Sequence, residues 1–218
     1  MKQFTIAFVL LFSLSSIARA GFDAGVAAFE RGDYAAAIAE FNPLAENEDA
    51  SAQFNLAVIY ENGLGVPRDY TVALKWYSKA AARNIVVAQF NLALMYAAGR
   101  GTAEDYAKAV KWLRRAAQQG YAKAEYSLGV MSDNGWGVMQ DHAEALNWYR
   151  EAALHGYAEA QFTFAEFYYH GKVVAQDKAM ALSWYQKAAA QGHAGARVKF
   201  DAMFNKLRSV AHDAAGAG

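Results

Sequence analysis

Apolar side chains recur at a helical spacing in a block of the chain that begins at Ala52. Within this block Ala52, Leu56 and Tyr60 follow one another at four-residue intervals. This spacing places them on one face of an α-helix. It predicts a first helix, helix A, over about residues 50–61. The helix should end at Asn62-Gly63, because glycine accepts the left-handed conformation of a helix C-cap.

A second amphipathic segment follows within the same block. Its apolar residues include Ala73, Trp76 and Tyr77, and they predict a helix B over about residues 70–83. Asp69 precedes the segment, and its short carboxylate can accept hydrogen bonds from the exposed N–H groups of the first helical turn. The block therefore predicts a helical hairpin.

The same block returns three more times, each time displaced by 36 residues. The four copies cover 52–87, 88–123, 124–159 and 160–195. The predicted helix B caps recur as Asp69, Asp105, Asp141 and Asp177, and its tryptophan recurs as Trp76, Trp112, Trp148 and Trp184. A fixed period in this range is typical of a solenoid, in which stacked hairpins complete one another's core. The predicted fold class is all-α.

The flanks of the repeat carry weaker versions of the pattern. Residues 21–51 predict a degenerate N-terminal hairpin with Glu40 where the tryptophans would stand. Residues 196–213 predict a C-terminal capping helix. The small residues 214–218 predict a disordered tail.

The first twenty residues have a different pattern. Lys2 is followed by an apolar stretch and then by the small residues Ala18 and Ala20. This order is typical of a secretory signal peptide, here residues 1–20 with cleavage after Ala20. We therefore expect an exported protein, periplasmic or secreted, with no membrane insertion after cleavage. An uncleaved anchor is the alternative.

Charge and cysteine content exclude several functions. The chain has 21 basic and 21 acidic residues, which removes the usual electrostatic reason to expect a nucleic acid or an anionic membrane as partner. It has no cysteine. Disulfides, a thiol nucleophile and a thiolate zinc site are therefore excluded.

The repeated positions together resemble the Sel-1-like repeat family, a branch of the tetratricopeptide-like α-solenoids. They comprise an opening alanine, a tyrosine, two loop glycines, the capping aspartate, the tryptophan and a final alanine pair. The resemblance implies a right-handed α-solenoid of antiparallel helix hairpins that acts as a protein- or peptide-binding adaptor. Some cysteine-rich members of the family are reported to bind penicillin-like compounds, and this chain lacks those cysteines. Two further departures are Ser132 in place of the tyrosine and Val173 in place of the second loop glycine.

Motifs that would indicate catalysis or metal binding are weak. Ser132-Asp133-Asn134 spells one element of serine β-lactamases, but the S-x-x-K and K-T-G partners are absent, and a polar helix end explains it. The five histidines form no H-E-x-x-H motif. We therefore predict no catalytic residue, no metal site and no cofactor.

A partner surface is predicted from the positions that vary between the copies. Identity across copies is explained by stacking, whereas variation on a shared scaffold can serve recognition. By analogy with tetratricopeptide repeats, the variable polar and aromatic positions of helix A should line the concave face: Glu61, Asn62, Asp133, Asn134, Glu166, Tyr169 and His170. Trp136 is added because other residue types occupy its loop position elsewhere, and an exposed tryptophan is a typical interface anchor. A solvated groove edge remains the alternative.

The predicted function is a monomeric, non-catalytic adaptor of the bacterial cell envelope that binds an unidentified protein or peptide through the concave face. One alternative is a cell-envelope enzyme or inhibitor acting on peptidoglycan or β-lactams. Another is a structural spacer, for which no preferred surface exists.

Overall fold

The structure is a computed structural model that describes residues 16–216, with side chains over residues 19–209. This part of the chain forms helices joined by short turns and contains no strand. The helices are α1 (Ser16–Glu30), α2 (Tyr34–Glu46), α3 (Ala50–Asn62), α4 (Tyr70–Ala82), α5 (Val86–Ala97), α6 (Tyr106–Ala117), α7 (Ala122–Asn134), α8 (His142–Leu154), α9 (Ala158–His170), α10 (Lys178–Ala190) and α11 (Ala194–Gly216). The predicted all-α class is confirmed.

The N-terminal prediction falls largely outside this part of the chain. Residues 1–15 are not described, and residues 16–20 form the start of α1. Cleavage after Ala20 therefore stays a prediction. No helix between residues 16 and 216 combines the length and the apolar character needed to cross a membrane.

The chain divides into two compact units, Met1–Ala116 and Ala117–Gly218. In the first unit, consecutive helices from α1 through α5 pack against one another. In the second unit, consecutive helices from α7 through α11 do so. Each unit has its own buried apolar cluster.

The helix ends form as the sequence predicts. Gly63 ends α3 with φ 67°, and Asn84 follows α4 with φ 68°. The four aspartate caps accept backbone hydrogen bonds: Asp69 from Thr71 and Val72, Asp105 from Lys108, Asp141 from Ala143 and Glu144, and Asp177 from Met180. Each cap satisfies N–H groups that have no partner within the helix.

The repeated tryptophans belong to the interior rather than to the surface. Trp76 is 6% exposed and Trp184 is 7% exposed. Trp112 and Trp148 are half-buried. Fully buried alanines such as Ala80 and Ala152 lie in the same helices and allow close approach of neighbouring helices.

A buried polar side chain lies near the start of helix A in each copy, a feature that the sequence analysis missed. Gln53 Nε2 donates to the Ala45 carbonyl at 3.0 Å, and Gln161 Nε2 donates to that of Ala153 at 3.1 Å. Each glutamine thereby donates a hydrogen bond to a carbonyl group in the last turn of the preceding helix. Carbonyl groups in the last turn receive no hydrogen bond from an N–H group of their own helix.

The third copy has a carboxylate at this position. Glu125 is 3% exposed, and His155 Nδ1 lies 2.8 Å from its Oε2. One period later Gln191 Nε2 donates to Gln161 Oε1 at 2.8 Å. A carboxylate–imidazole pair in the third copy therefore replaces an amide pair, and the hydrogen bond with Glu125 raises the pKa of His155.

The flanking segments are helical. Helices α1 and α2 occupy the region of the expected N-terminal hairpin, and α2 extends three residues beyond Pro43. Helix α11 is longer than the 196–213 expected for the cap. It includes residues 214–216 of the expected disordered tail, and the last two residues of the chain lie outside the described part.

Candidate functional site

A cavity of about 610 Å³ lies in the second unit, where the end of α7 and the start of α8 approach α9 and the loop that follows it. Its lining combines three apolar side chains with acidic, basic, imidazole and hydroxyl groups. The lining residues are Asp133, His142, Phe162, Thr163, Glu166, Phe167, His170, Lys172 and Val173. The cavity is large enough for a side chain of a binding partner.

Two imidazole–carboxylate pairs stand in this lining. His142 Nδ1 lies 2.6 Å from Asp133 Oδ1, and His170 Nε2 lies 3.2 Å from Glu166 Oε2. An ionised carboxylate only accepts hydrogen bonds, so these two ring nitrogens carry the protons. The other nitrogen of each neutral ring, Nε2 of His142 and Nδ1 of His170, is then a hydrogen-bond acceptor.

Glu166 is held by several donors. Its Oε1 accepts from the Tyr185 hydroxyl and lies 3.3 Å from Lys199 Nζ. Burial alone would raise the pKa of Glu166, but hydrogen bonds from Tyr185, Lys199 and His170 outweigh burial and lower it. Burial, followed by the hydrogen bond to Glu166, raises the pKa of Tyr185. The carboxylate therefore stays ionised and the phenol stays protonated at neutral pH.

The loop after α9 differs from its counterparts at Val173. Gly65 and Gly101 occupy this loop position in the first unit, with φ 68° and 71°, and Val173 keeps the same left-handed conformation with φ 64°. Positive φ is rare for a β-branched residue, because its side chain crowds its own backbone. The loop glycine has thus been replaced without a change of backbone conformation.

The glycines in the first unit lie directly against the start of a helix B. A Cβ at Gly65 would lie 2.6 Å from Cβ of Tyr34, and one at Gly101 would overlap the Tyr70 carbonyl oxygen. Tyr34 and Tyr70 are the first residues of α2 and α4, and His142 is the first residue of α8. A valine cannot approach the helix start as closely as glycine does. Val173 and His142 accordingly both line the cavity.

The structure brings together three of the predicted partner residues in this cavity, namely Asp133, Glu166 and His170. Tyr169 does not line it, although its ring lies 4.7 Å from Lys199 Nζ. Asn134 is exposed, and its Nδ2 donates to the Val130 carbonyl of its own helix at 2.8 Å.

The other three predicted residues lie elsewhere. Trp136 is 44% exposed, in the loop between α7 and α8. Glu61 and Asn62 belong to the first unit. Glu61 accepts from the Tyr77 hydroxyl at 2.7 Å, and Asn62 Nδ2 donates to the Val58 carbonyl at 2.8 Å.

Sequence analysis missed His142 and Lys172 as members of the cavity. His142 is one of the five histidines that form no metal-binding motif, and Lys172 occupies in the fourth copy the loop position that Trp136 occupies in the third. The signal that could have identified the cavity was Val173, since its replacement of a loop glycine was visible in the repeat alignment.

Among the side chains that the structure describes, no three or more histidine, aspartate or glutamate groups lie together so that they could hold a metal ion.

The repeated hairpins define the chain as an α-helical repeat protein. The Sel1 repeat model matches residues 50–85, 86–121, 122–157 and 158–193. The chain belongs to the Sel1 repeat family, and the predicted all-α repeat solenoid is confirmed. The matched copies have the predicted 36-residue period and begin two residues earlier than the division made from the sequence. Sel1 repeat proteins generally act as scaffolds for protein interactions.

Solved structures agree with this assignment. A Sel1 repeat protein from Oxalobacter formigenes is 35% identical with a TM-score of 0.76, over 82% of this chain and 73% of that one. A protective antigen present in uropathogenic Escherichia coli strains is 30% identical with a TM-score of 0.79, over 87% of this chain. The match spans only 41% of that antigen's length.

A more distant structure shows the fold alone. An immunity protein from Pseudomonas aeruginosa is 23% identical with a TM-score of 0.52, over 85% of this chain and 70% of that one. No curated protein matches the chain at a significant level.

Proposed function

We propose that this protein is a non-catalytic adaptor that binds a protein or peptide partner through the face formed by the first helices of its hairpins, the predicted concave face. The observation that carries the proposal is the cavity in the second unit. Three residues predicted from repeat variation, Asp133, Glu166 and His170, line it together. Three positions that vary among the copies therefore lie where a side chain of a partner can enter.

The polar groups of the cavity are already oriented in the absence of a partner. Glu166 is held by Tyr185, Lys199 and His170, and Asp133 is paired with His142. Preorganised groups lose little conformational entropy on binding. Asn134, Tyr169 and Trp136 extend the proposed surface around the cavity, and Glu61 with Asn62 provides a further stretch in the first unit.

The proposed location is the bacterial cell envelope, either the periplasm or the exterior. Support comes from the signal-like pattern of residues 1–20 and not from the described part of the chain. A fusion of residues 1–20 to a reporter that is active only after export tests this location. Loss of reporter export on replacing the apolar stretch would support it, and a cytoplasmic reporter would refute it.

The binding proposal is tested by capture from envelope extract with immobilised protein. We expect Asp133→Asn combined with Glu166→Gln to lose a partner that the unaltered protein retains. Glu30→Gln is the matched control, because Glu30 is an exposed carboxylate at the end of α1 in the first unit. Equal capture by all three proteins would refute the proposed surface.

A further inference from the structure

We infer that the cavity between α7, α8 and α9 is a binding site for an organic cation, specifically the guanidinium or ammonium group of an arginine or lysine side chain. This inference rests on the proposed function, since the cation would belong to the partner peptide. It adds the chemical class of the recognised group.

The inference rests on the hydrogen-bond acceptors that line the cavity. With neutral imidazoles, His142 and His170 each use their protonated nitrogen toward a carboxylate and present a lone pair at the other nitrogen. Asp133 keeps a second carboxylate oxygen, since its bond to His142 involves Oδ1. These groups accept hydrogen bonds, and a guanidinium or ammonium group only donates them.

The apolar lining suits the remainder of such a side chain. Phe162, Phe167 and Val173 line the same cavity as the acceptors. Arginine and lysine side chains carry an aliphatic stem that packs on apolar surface while the charged group reaches polar partners. Aromatic faces also attract the cation itself. The lining therefore offers apolar surface to the aliphatic stem and hydrogen-bond acceptors to the charged group.

The charged groups of the lining favour a cation over an anion. Two carboxylates, Asp133 and Glu166, line the cavity together with one ammonium group, Lys172. The carboxylates therefore outnumber the ammonium group, and a cationic ligand is attracted rather than repelled.

Each histidine of the lining faces a carboxylate. His142 faces Asp133 and follows the capping residue Asp141. His170 faces Glu166 and packs edge-on against the Tyr169 ring at 4.9 Å. Lys199 and Tyr185 contact Glu166 and so use its Oε1, which leaves Asp133 as the main anionic contact for a ligand.

Val173 explains why the site belongs to this copy of the repeat. The two glycines of the first unit place their loops against the start of a helix B, where no Cβ fits. The valine side chain requires more room at the corresponding place, and the cavity lies there. Restoring glycine at this position should let the loop approach α8 and reduce the cavity.

The test uses acetyl-arginine amide as the probe, with acetyl-citrulline amide as its neutral isostere and acetyl-glutamate amide as an anionic comparison. Binding to the full chain is followed by titration calorimetry and by the imidazole NMR signals of His142 and His170. We expect the arginine probe to shift both signals at pH 8. Replacing the arginine probe by citrulline should weaken binding about tenfold or more.

Two variants make the result specific. Val173→Gly and Asp133→Asn should each weaken arginine binding about tenfold or more, and Glu30→Gln should leave it unchanged. Val173→Gly also guards against misfolding, because it relieves an unfavourable backbone conformation. Arginine binding that is equal in all variants, or tighter binding of the glutamate probe at pH 8, would overturn the inference.

The outcome is distinguishable from failure of the proposed function. Capture that depends on Asp133 and Glu166 without any binding of the arginine probe would overturn the cation site and leave the adaptor function standing. Binding of the probe without any captured partner would overturn the adaptor function and leave the cation site standing.

Discussion

The pair formed by the buried Glu125 and the half-exposed His155 should make the stability of this protein depend on pH. Glu125 is 3% exposed, whereas the His155 side chain is 47% exposed and lies 2.8 Å from it. The hydrogen bond with Glu125, followed by the charge of that carboxylate, raises the pKa of His155 above its ordinary value. The folded protein therefore binds the imidazole proton more tightly than the unfolded chain does.

The direction of the effect follows from this raised pKa. Below about pH 6.5, the ordinary pKa of histidine, both states are protonated and the full stabilisation is present. As the pH rises through the raised pKa of the folded state, the proton is lost and the stabilisation disappears. Between pH 6 and pH 8.5 the free energy of unfolding should fall.

Truncation of His155 measures how much the histidine contributes to the free energy of unfolding. His155→Ala leaves a buried carboxylate without its imidazole partner, and an unsatisfied buried group costs about 1–3 kcal/mol. Because His155 is about half exposed, water can enter the space that its side chain leaves, and we expect the lower part of that range, about 1–2 kcal/mol. For a chain of this length this corresponds to a fall in Tm of about 2–8 °C.

The matched control is the double variant Glu125→Gln with His155→Gln, which reproduces the amide pair that Gln161 and Gln191 form one period later. Urea unfolding of the unaltered protein and of this variant should be measured at pH 6, 7 and 8.5. The other histidines are common to both proteins, so the difference between the two pH profiles isolates the pair. Parallel profiles would refute the reasoning.

Substitutions at four further positions test the backbone and a helix cap by urea unfolding. Val173→Gly should stabilise the protein by about 0.5–1 kcal/mol, because relief of the left-handed conformation outweighs the added chain entropy of glycine; a loss of stability would contradict this. Gly101→Ala should lower the free energy of unfolding by about 2 kcal/mol or more, since the new Cβ would overlap the Tyr70 carbonyl. Gly32→Ala should lower it by only about 1–2 kcal/mol, because no atom lies within 4 Å of the new Cβ. Equal losses would show that the overlap at Gly101 is relieved. Asp177→Ala should lower the free energy of unfolding by about 1 kcal/mol, because the helix loses its cap. Asp177→Asn should lower it far less, because asparagine also caps helices. Equal effects of the two substitutions would exclude capping as the cause.

Most of the fold could be predicted from the sequence because its determinants are local and are repeated. A capping aspartate such as Asp69 and a left-handed residue such as Asn84 act on the few residues beside them. Four copies of the pattern distinguish these signals from chance. The buried glutamines were missed, because glutamine is ordinarily exposed and only the packed structure shows that Gln53 meets the end of the preceding helix.

The candidate site was predicted only in part. Variation among copies identified Asp133, Glu166 and His170, which share the cavity, but the same argument also selected Asn62 and Asn134, which bond to carbonyl groups of their own helices. His142 carries no motif in the sequence. Its place in the cavity depends on packing between segments that are far apart along the chain, which periodicity does not describe.

The valine after α9 has a consequence for how such repeat proteins change over time. A glycine codon becomes a valine codon through a single nucleotide substitution, and here the backbone of the loop is the same with either residue. The strain is confined to one turn, and the neighbouring hairpins keep their own contacts. A new recess can thus arise in one hairpin of an array while the remaining copies preserve its stability.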